Sequence, residues 1–205
     1  MLRSIRLPIL SALFVGLTFV AAAPSQAVAQ DQGAAAFIQT LGSQGMQALS
    51  LPEAQRAARF RQLLQADFDL PEIARFVLGQ YARAMPPQEQ QEFMTLFTDY
   101  VARSYATRLA SYAGSPFRVT GVRPGGGETV VTSQVLRHGG QPAEIDWHVV
   151  SGGGRPLVTD VVVGGVSMKV SQRSEFASII QRNGGRPEAL LAALRQQMGY
   201  GSSRK

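Results

Sequence analysis

Pro156–Gly185 reads PLVTDVVVGGVSMKVSQRSEFASIIQRNGG, and the change of rhythm inside it decides the fold. Leu157–Val163 predicts a strand, with Leu157, Thr159, Val161 and Val163 pointing one way and Val158, Asp160 and Val162 the other. Both faces are mostly apolar, so this strand is expected to be covered on two sides. Gly164-Gly165 turns the chain, Val166-Ser167-Met168 leads out of the turn, and a helix is expected to begin near Ser171–Ser174. Phe176, Ile179 and Ile180 share one face of that helix, and Asn183-Gly184-Gly185 supplies a left-handed stop. A strand that feeds a helix through a glycine pair is where an α+β domain closes over its core.

Working back from this stretch, Phe117–Arg123, Glu128–Arg137 and Pro142–Val150 keep the same period of two. Pro124-Gly125-Gly126-Gly127, His138-Gly139-Gly140 and Ser151-Gly152-Gly153-Gly154 separate them and are short enough for hairpins. With Leu157–Val163 they make a four-stranded antiparallel meander. Ala143, Ile145, Trp147 and Val149 alternate with Glu144, Asp146 and His148, so that strand has one face on the core and one on water.

Before the strands the period is helical. Ala34–Leu49 carries Phe37, Ile38, Leu41, Gly45 and Ala48/Leu49 on one stripe, and Ser50-Leu51-Pro52-Glu53 has the pattern of a capping box for a second helix. Asp69-Leu70-Pro71-Glu72 repeats that signal for a short third helix, and Pro86-Pro87 opens the longest, running to about Tyr112. Phe93, Leu96, Phe97, Tyr100, Val101, Tyr105 and Leu109 recur along it at steps of three and four, a stripe that needs a large apolar partner. Arg186-Pro187-Glu188 starts a last helix with Leu190, Leu191, Leu194 and Met198 inward. The expected fold is α+β: N-terminal helices and one long helix packed on the four-stranded meander, with C-terminal helices.

The bulk properties narrow the function. Arg3 and Arg6, the apolar run Leu7–Val20 and the A-x-A site Ala27-Val28-Ala29 read as a secretory signal peptide over residues 1–29. Residues 30–200 then form a single exported domain, and 201–205 are expected to be a disordered tail. The formal charge is +6, and losing Arg3 and Arg6 leaves 18 basic against 14 acidic residues, near +4. The arginines are scattered, as on a solvated surface, with attraction to anionic lipid headgroups as the alternative. Export and the lack of a basic run argue against nucleic acid. With no cysteine and two histidines, a thiolate metal site is excluded and a histidine-rich one is disfavoured.

Candidate chemistry is thin. Glu144, Asp146 and His148 share a strand face, with Asp160 expected on the neighbouring strand, and carboxylates beside an imidazole could act as acid and base. The wet side of a half-exposed strand looks the same. No G-x-S-x-G, phosphate-cradle, H-E-x-x-H or calcium-loop pattern occurs. What stands out is apolar surface facing inward from both helix and sheet. A lipid carrier needs such surface, because about a dozen methylenes at ~0.8 kcal/mol each put on the order of 10 kcal/mol on shielding one acyl chain. A solidly filled core, as in a passive interaction module, would give the same pattern.

Particular residues go further. Asp160-Val161-Val162-Val163-Gly164-Gly165-Val166-Ser167-Met168, followed by Gln172-Arg173-Ser174-Glu175-Phe176, resembles the D-V-x-V-x-G-V-S strand and turn of the MlaC / toluene-tolerance family. Phe68-Asp69-Leu70-Pro71-Glu72-Ile73-Ala74, Leu78-Gly79 and the long-helix residues Phe97, Tyr100, Tyr105 and Leu109 support the resemblance, which covers most of the mature chain. That family often has Trp just before the late strand, where Arg155-Pro156-Leu157 stands here. The Gln172–Gly185 ending is also similar to the hopanoid-associated HpnM branch. The resemblance implies a periplasmic lipid-binding protein that exchanges phospholipid, or a hopanoid-type lipid, with inner- and outer-membrane components of an ABC-type transport system. It implies helices wrapped on a twisted sheet, acyl tails between them, a headgroup in solvent, and no enzyme activity, cofactor or metal.

Stripe and alternation then select the residues expected to line a lipid pocket. They are Phe93, Phe97, Tyr100, Val101 and Tyr105 on the long helix, and Val131, Trp147, Val149, Val161 and Val163 on the sheet. The rival expectation is a small cone-shaped α+β enzyme with Asp146 or Asp160 and His148 as acid and base.

Overall fold

A computed structural model describes residues 26–136 and 140–200. Helices α1 (Gln26–Leu49), α2 (Glu53–Asp67), α3 (Leu70–Leu78) and α4 (Pro87–Arg108) come first, with 3-10 turns at Gly79–Ala84 and Ala110–Tyr112. Strands β1 (Phe117–Pro124), β2 (Thr129–Val135), β3 (Ala143–Gly152), β4 (Arg155–Val163) and β5 (Val166–Ser167) follow, then α5 (Met168–Arg182) and α6 (Glu188–Met198). The sheet order is β1-β2-β3-β4-β5 with every neighbour antiparallel, so the fold is α+β and built on a meander as expected. The added fifth strand is two residues long, made when Gly164 and Gly165 (φ 57° and 80°) fold Val166 back onto Val163. Most of the expected signal peptide, the tail 201–205 and the loop around His138 lie outside the described residues; α1 is described from Gln26.

Several element ends differ from the sequence reading for local reasons. Helix α5 begins at Met168 rather than near Ser171, because Ser167 Oγ accepts from the Val170 N–H at 3.2 Å and starts the helix directly off the strand. Between β3 and β4, Gly153 and Gly154 (φ 56° and 86°) form a two-residue turn, so both strands extend farther into the glycine run than expected. Ser50 does not cap α2: Pro52 occupies that position without a side-chain bond. Asp69 does cap α3, accepting from the Glu72 N–H at 3.1 Å.

Two main cores form. Helix α1 lies on one end of the inner sheet face, with Ala34, Ile38 and Leu41 against Val131, Val149 and Val158. In the second core, α3, α4, α5 and α6 bury Phe93, Phe97, Phe176, Ile180 and Leu191 among one another. The Phe93 and Phe97 rings stack at 5.4 Å, and Phe176 meets both edge-on at 6.0 and 6.1 Å. The long helix therefore packs chiefly on α2 and α6 and faces the sheet across a gap. A main-chain bridge between Phe68 and Val158, with the Asp69 N–H on the Val158 carbonyl at 2.9 Å, pins the α2–α3 corner to β4. Strand β4 is consequently covered on both faces at its centre, where Val158, Thr159 and Asp160 are buried in succession. Among the described residues no helix is long and apolar enough to cross a membrane.

Candidate functional site

The gap between α4 and the sheet is a cavity of about 260 Å³. One wall is the sheet: Val135, Ala143, Ile145, Trp147, Val161 and Val163. Cross-strand register puts these side chains on one face, since Trp147 stands opposite Val161, Ile145 opposite Val163, and Val135 opposite Ala143. The facing wall is the C-terminal half of α4 and its extension, with Phe97, Val101, Tyr105, Leu109 and Tyr112. Helix α1 closes one side with Leu41, Gly42, Gly45, Met46 and Leu49, and α2 and α3 add Phe60, Leu63 and Ile73 among others.

Several polar atoms near the walls are occupied elsewhere. The Trp147 indole N–H donates to Ser133 Oγ at 2.8 Å, leaving the ring itself on the cavity. The Thr159 hydroxyl donates to Glu128 at 2.7 Å. Asp160 accepts from the Ser167 hydroxyl at 2.5 Å and from the Val161 and Lys169 N–H groups at 2.8 and 3.1 Å, so its carboxylate holds the start of α5. The Lys169 ammonium sits 4.9 Å from the centre of the Phe76 ring. Burial pushes the Tyr105 phenol above its ordinary pKa, which keeps it neutral. The result is a mostly apolar lining, with Asp160, Lys169 and Gln172 where β4 and the start of α5 meet it, and it suits a hydrocarbon.

Of the ten residues expected at a pocket, Phe97, Val101, Tyr105, Trp147, Val161 and Val163 are brought together on the cavity. The other four are placed in solid packing. Phe93 and Tyr100 turn into the helical core, where the Tyr100 hydroxyl donates to Glu175 at 3.1 Å. Val131 and Val149 lie under α1. Reading the α4 stripe as one face produced the first pair, whereas its aromatic residues spread around the helix and serve two partners. The expectation also passed over the α1 wall and the residues Val135, Ala143 and Ile145. Alternation alone would have found the last two, which share the Trp147 side of β3.

The acid–base candidates do not converge on this cavity. Asp146 is held by Arg123 at 2.7 Å and by the Thr132 hydroxyl at 2.6 Å. His148 Nδ1 is 2.8 Å from Glu128, which also accepts from Thr159. Burial raises the Glu128 pKa, but hydrogen bonds from Thr159 and His148 and the charges of His148 and Lys169 outweigh it, and the net shift is downward. His148 and Asp160 stand opposite in register, yet the Asp160 carboxylate is spent on α5. These groups cross-link strands and cap a helix. Among the described residues no three His, Cys, Asp or Glu side chains are placed to hold a metal ion.

The fold is shared with a solved structure. A phospholipid-binding protein from Ralstonia solanacearum, determined in complex with a phospholipid, superposes with a TM-score of 0.69 at 20% identity, over 82% of this chain and 97% of that one. At that identity the likeness speaks to architecture. The model of the MlaC protein family matches residues 34–196, from within α1 to within α6. With a match of that extent, the chain belongs to the MlaC family.

Proposed function

We propose that this chain is a periplasmic lipid carrier, a binding protein rather than an enzyme, which shelters phospholipid acyl chains while they pass between membrane-bound transport partners. The observation that carries the reading is the largely apolar cavity between α4 and the sheet, where the Trp147 indole N–H and the Thr159 hydroxyl are bonded away from it. Family membership and the fold shared with a phospholipid-binding protein support it. Phe97, Val101, Tyr105, Trp147, Val161 and Val163 act by apolar contact with the acyl chains, and the headgroup stays in solvent. An acyl chain leaving a bilayer exposes about 0.8 kcal/mol per methylene, and the cavity replaces that burial during transit. The leader-like N-terminus supports delivery to the periplasm, and exchange with inner- and outer-membrane components of an ABC-type lipid transport system follows from the family reading.

Purifying the full chain after export, extracting it with organic solvent and analysing the extract by mass spectrometry tests this. Co-purified phospholipid in near-stoichiometric amount is the expected result, and a hopanoid-type lipid in its place would reassign the cargo. Protein that carries no lipid, and takes none up from vesicles, would overturn the proposal.

A further inference from the structure

One corner of the cavity is polar: Asp160, Lys169 and Gln172 reach the lining where β4 runs into α5. Asp160 is committed to Ser167 and to two main-chain N–H groups, and the Gln172 amide donates to Glu175 at 3.0 Å. Lys169 is not committed. Glu72 and Glu128 feel its charge, but among the described residues its ammonium makes no ion pair and donates no hydrogen bond. It rests 4.9 Å from the centre of the Phe76 ring. The Arg173 guanidinium lies 5.1 Å from the same ring centre and likewise makes no ion pair among the described residues. It comes so near α3 that a Cβ on Gly79 would stand 3.0 Å from one of its nitrogens. Positions 169 and 173 are neighbours on one face of α5, where like charges repel. Two cations are thus gathered on one ring with no carboxylate in ion-pair contact with either. Lys169 is half-buried, while Arg173, Val166 and Val170 are exposed, so the lining reaches the outer surface at this corner.

We propose that Lys169 and Arg173 bind the phosphodiester of the lipid whose tail occupies the cavity. The proposal rests on the carrier reading above and deepens it by fixing which way the lipid lies. Strand β4 carries the apolar wall from Val161 to Val163, and the turn after it brings Lys169 back beside Asp160. A tail along that wall has its polar end at this corner. A phosphate there keeps its contact with water and gains two cations, neither of which must first give up an ion pair. Phe76 holds both side chains in place beforehand, which reduces the ordering that binding has to impose. The pair therefore raises affinity for phosphate-bearing lipids, while a neutral glyceride with the same tail is held by the apolar walls alone.

The test uses the full chain stripped of lipid, with oleoyl lysophosphatidylglycerol and monooleoylglycerol as probes, which share a tail and differ in the phosphate. Affinity is read by equilibrium dialysis of tritiated lipid below its micelle concentration. Lys169→Met combined with Arg173→Gln is expected to lower lysophosphatidylglycerol affinity at least about fivefold and to leave monooleoylglycerol affinity unchanged. Raising sodium chloride from about 0.05 to about 0.5 M should weaken wild-type binding of the phosphate-bearing probe alone. Lys169→Arg should keep the wild-type pattern, as should Arg182→Gln farther along the same helix. If the double variant fails to fold, the two single variants are measured in the same way. A folded double variant that binds lysophosphatidylglycerol as wild type does, or that loses both probes together, would overturn the inference, as would equal salt dependence for the two probes. Inorganic phosphate bound as tightly as the lysolipid would assign the pair to a free anion and overturn it too. So would wild type, but not the double variant, sedimenting with phosphatidylglycerol vesicles while both bind lysolipid alike, because the pair would then read a bilayer. Wild-type protein that binds neither probe overturns the carrier reading itself, and this inference with it.

Discussion

Val101 and Phe93 sit on the same helix, about 80° apart around its axis, and the structure gives them opposite duties. Val101 is half-buried on the cavity, whereas Phe93 is 1% exposed within the helical core. Val101→Asp should cost the fold little, about 1 kcal/mol, because the valine loses only part of a side chain's burial and the new carboxylate keeps its water in an empty cavity. A lipid tail entering that cavity would strip the water and leave the charge unpaired. The penalty is about 4 kcal/mol or more, so affinity should fall roughly a thousandfold. Phe93→Ala reverses the pattern. Removing a stacked, fully buried ring costs about 3–5 kcal/mol and lowers Tm by about 10 °C, while the cavity wall stays as it is. Thermal unfolding of the lipid-free protein, beside native mass spectrometry of protein loaded below its Tm, separates the two. The reasoning fails if Val101→Asp carries lipid as well as wild type, or if folded Phe93→Ala carries none.

Trp147 is the sole tryptophan and lies on the cavity wall, so its emission should move to shorter wavelength on lipid loading and be quenched by phospholipid with brominated acyl chains; an unchanged spectrum would place the tails elsewhere. Glu128 has a folded pKa below its ordinary 4.5, so the stability it contributes is fully present above that value and is lost as pH falls through the lower, folded value. Urea titrations should therefore show Glu128→Gln weaker than wild type at neutral pH, with the gap closing in acid, and a gap constant down to pH 3 would refute it. Gly42→Ala should destabilise by about 1 kcal/mol, because displacing the Phe117 ring costs more than the helix gains, and an unchanged or raised Tm would contradict the close approach.

The period-two runs and their glycine turns announced the meander, and Asp69 announced the start of α3, because these are local rules written in adjacent residues. The division of labour along α4 was not announced. Phe93, Phe97, Tyr100 and Val101 recur at helical spacing whether they meet a helix, a sheet or empty space, and only the positions of α2 and α6 decide among these. Val131 and Trp147 face each other across strands on one sheet face, yet one lies under α1 and the other on the cavity. Alternation fixes the side a residue takes and leaves its neighbour to topology.

The α1–sheet core and the α3–α6 core meet at Phe68, which packs against both, and the cavity lies between them. The spacing of its walls is held where the layers are tied to β4, by the stitch between Phe68 and Val158 and by Asp160 at the root of α5, so the width open to a guest is decided at two small joints.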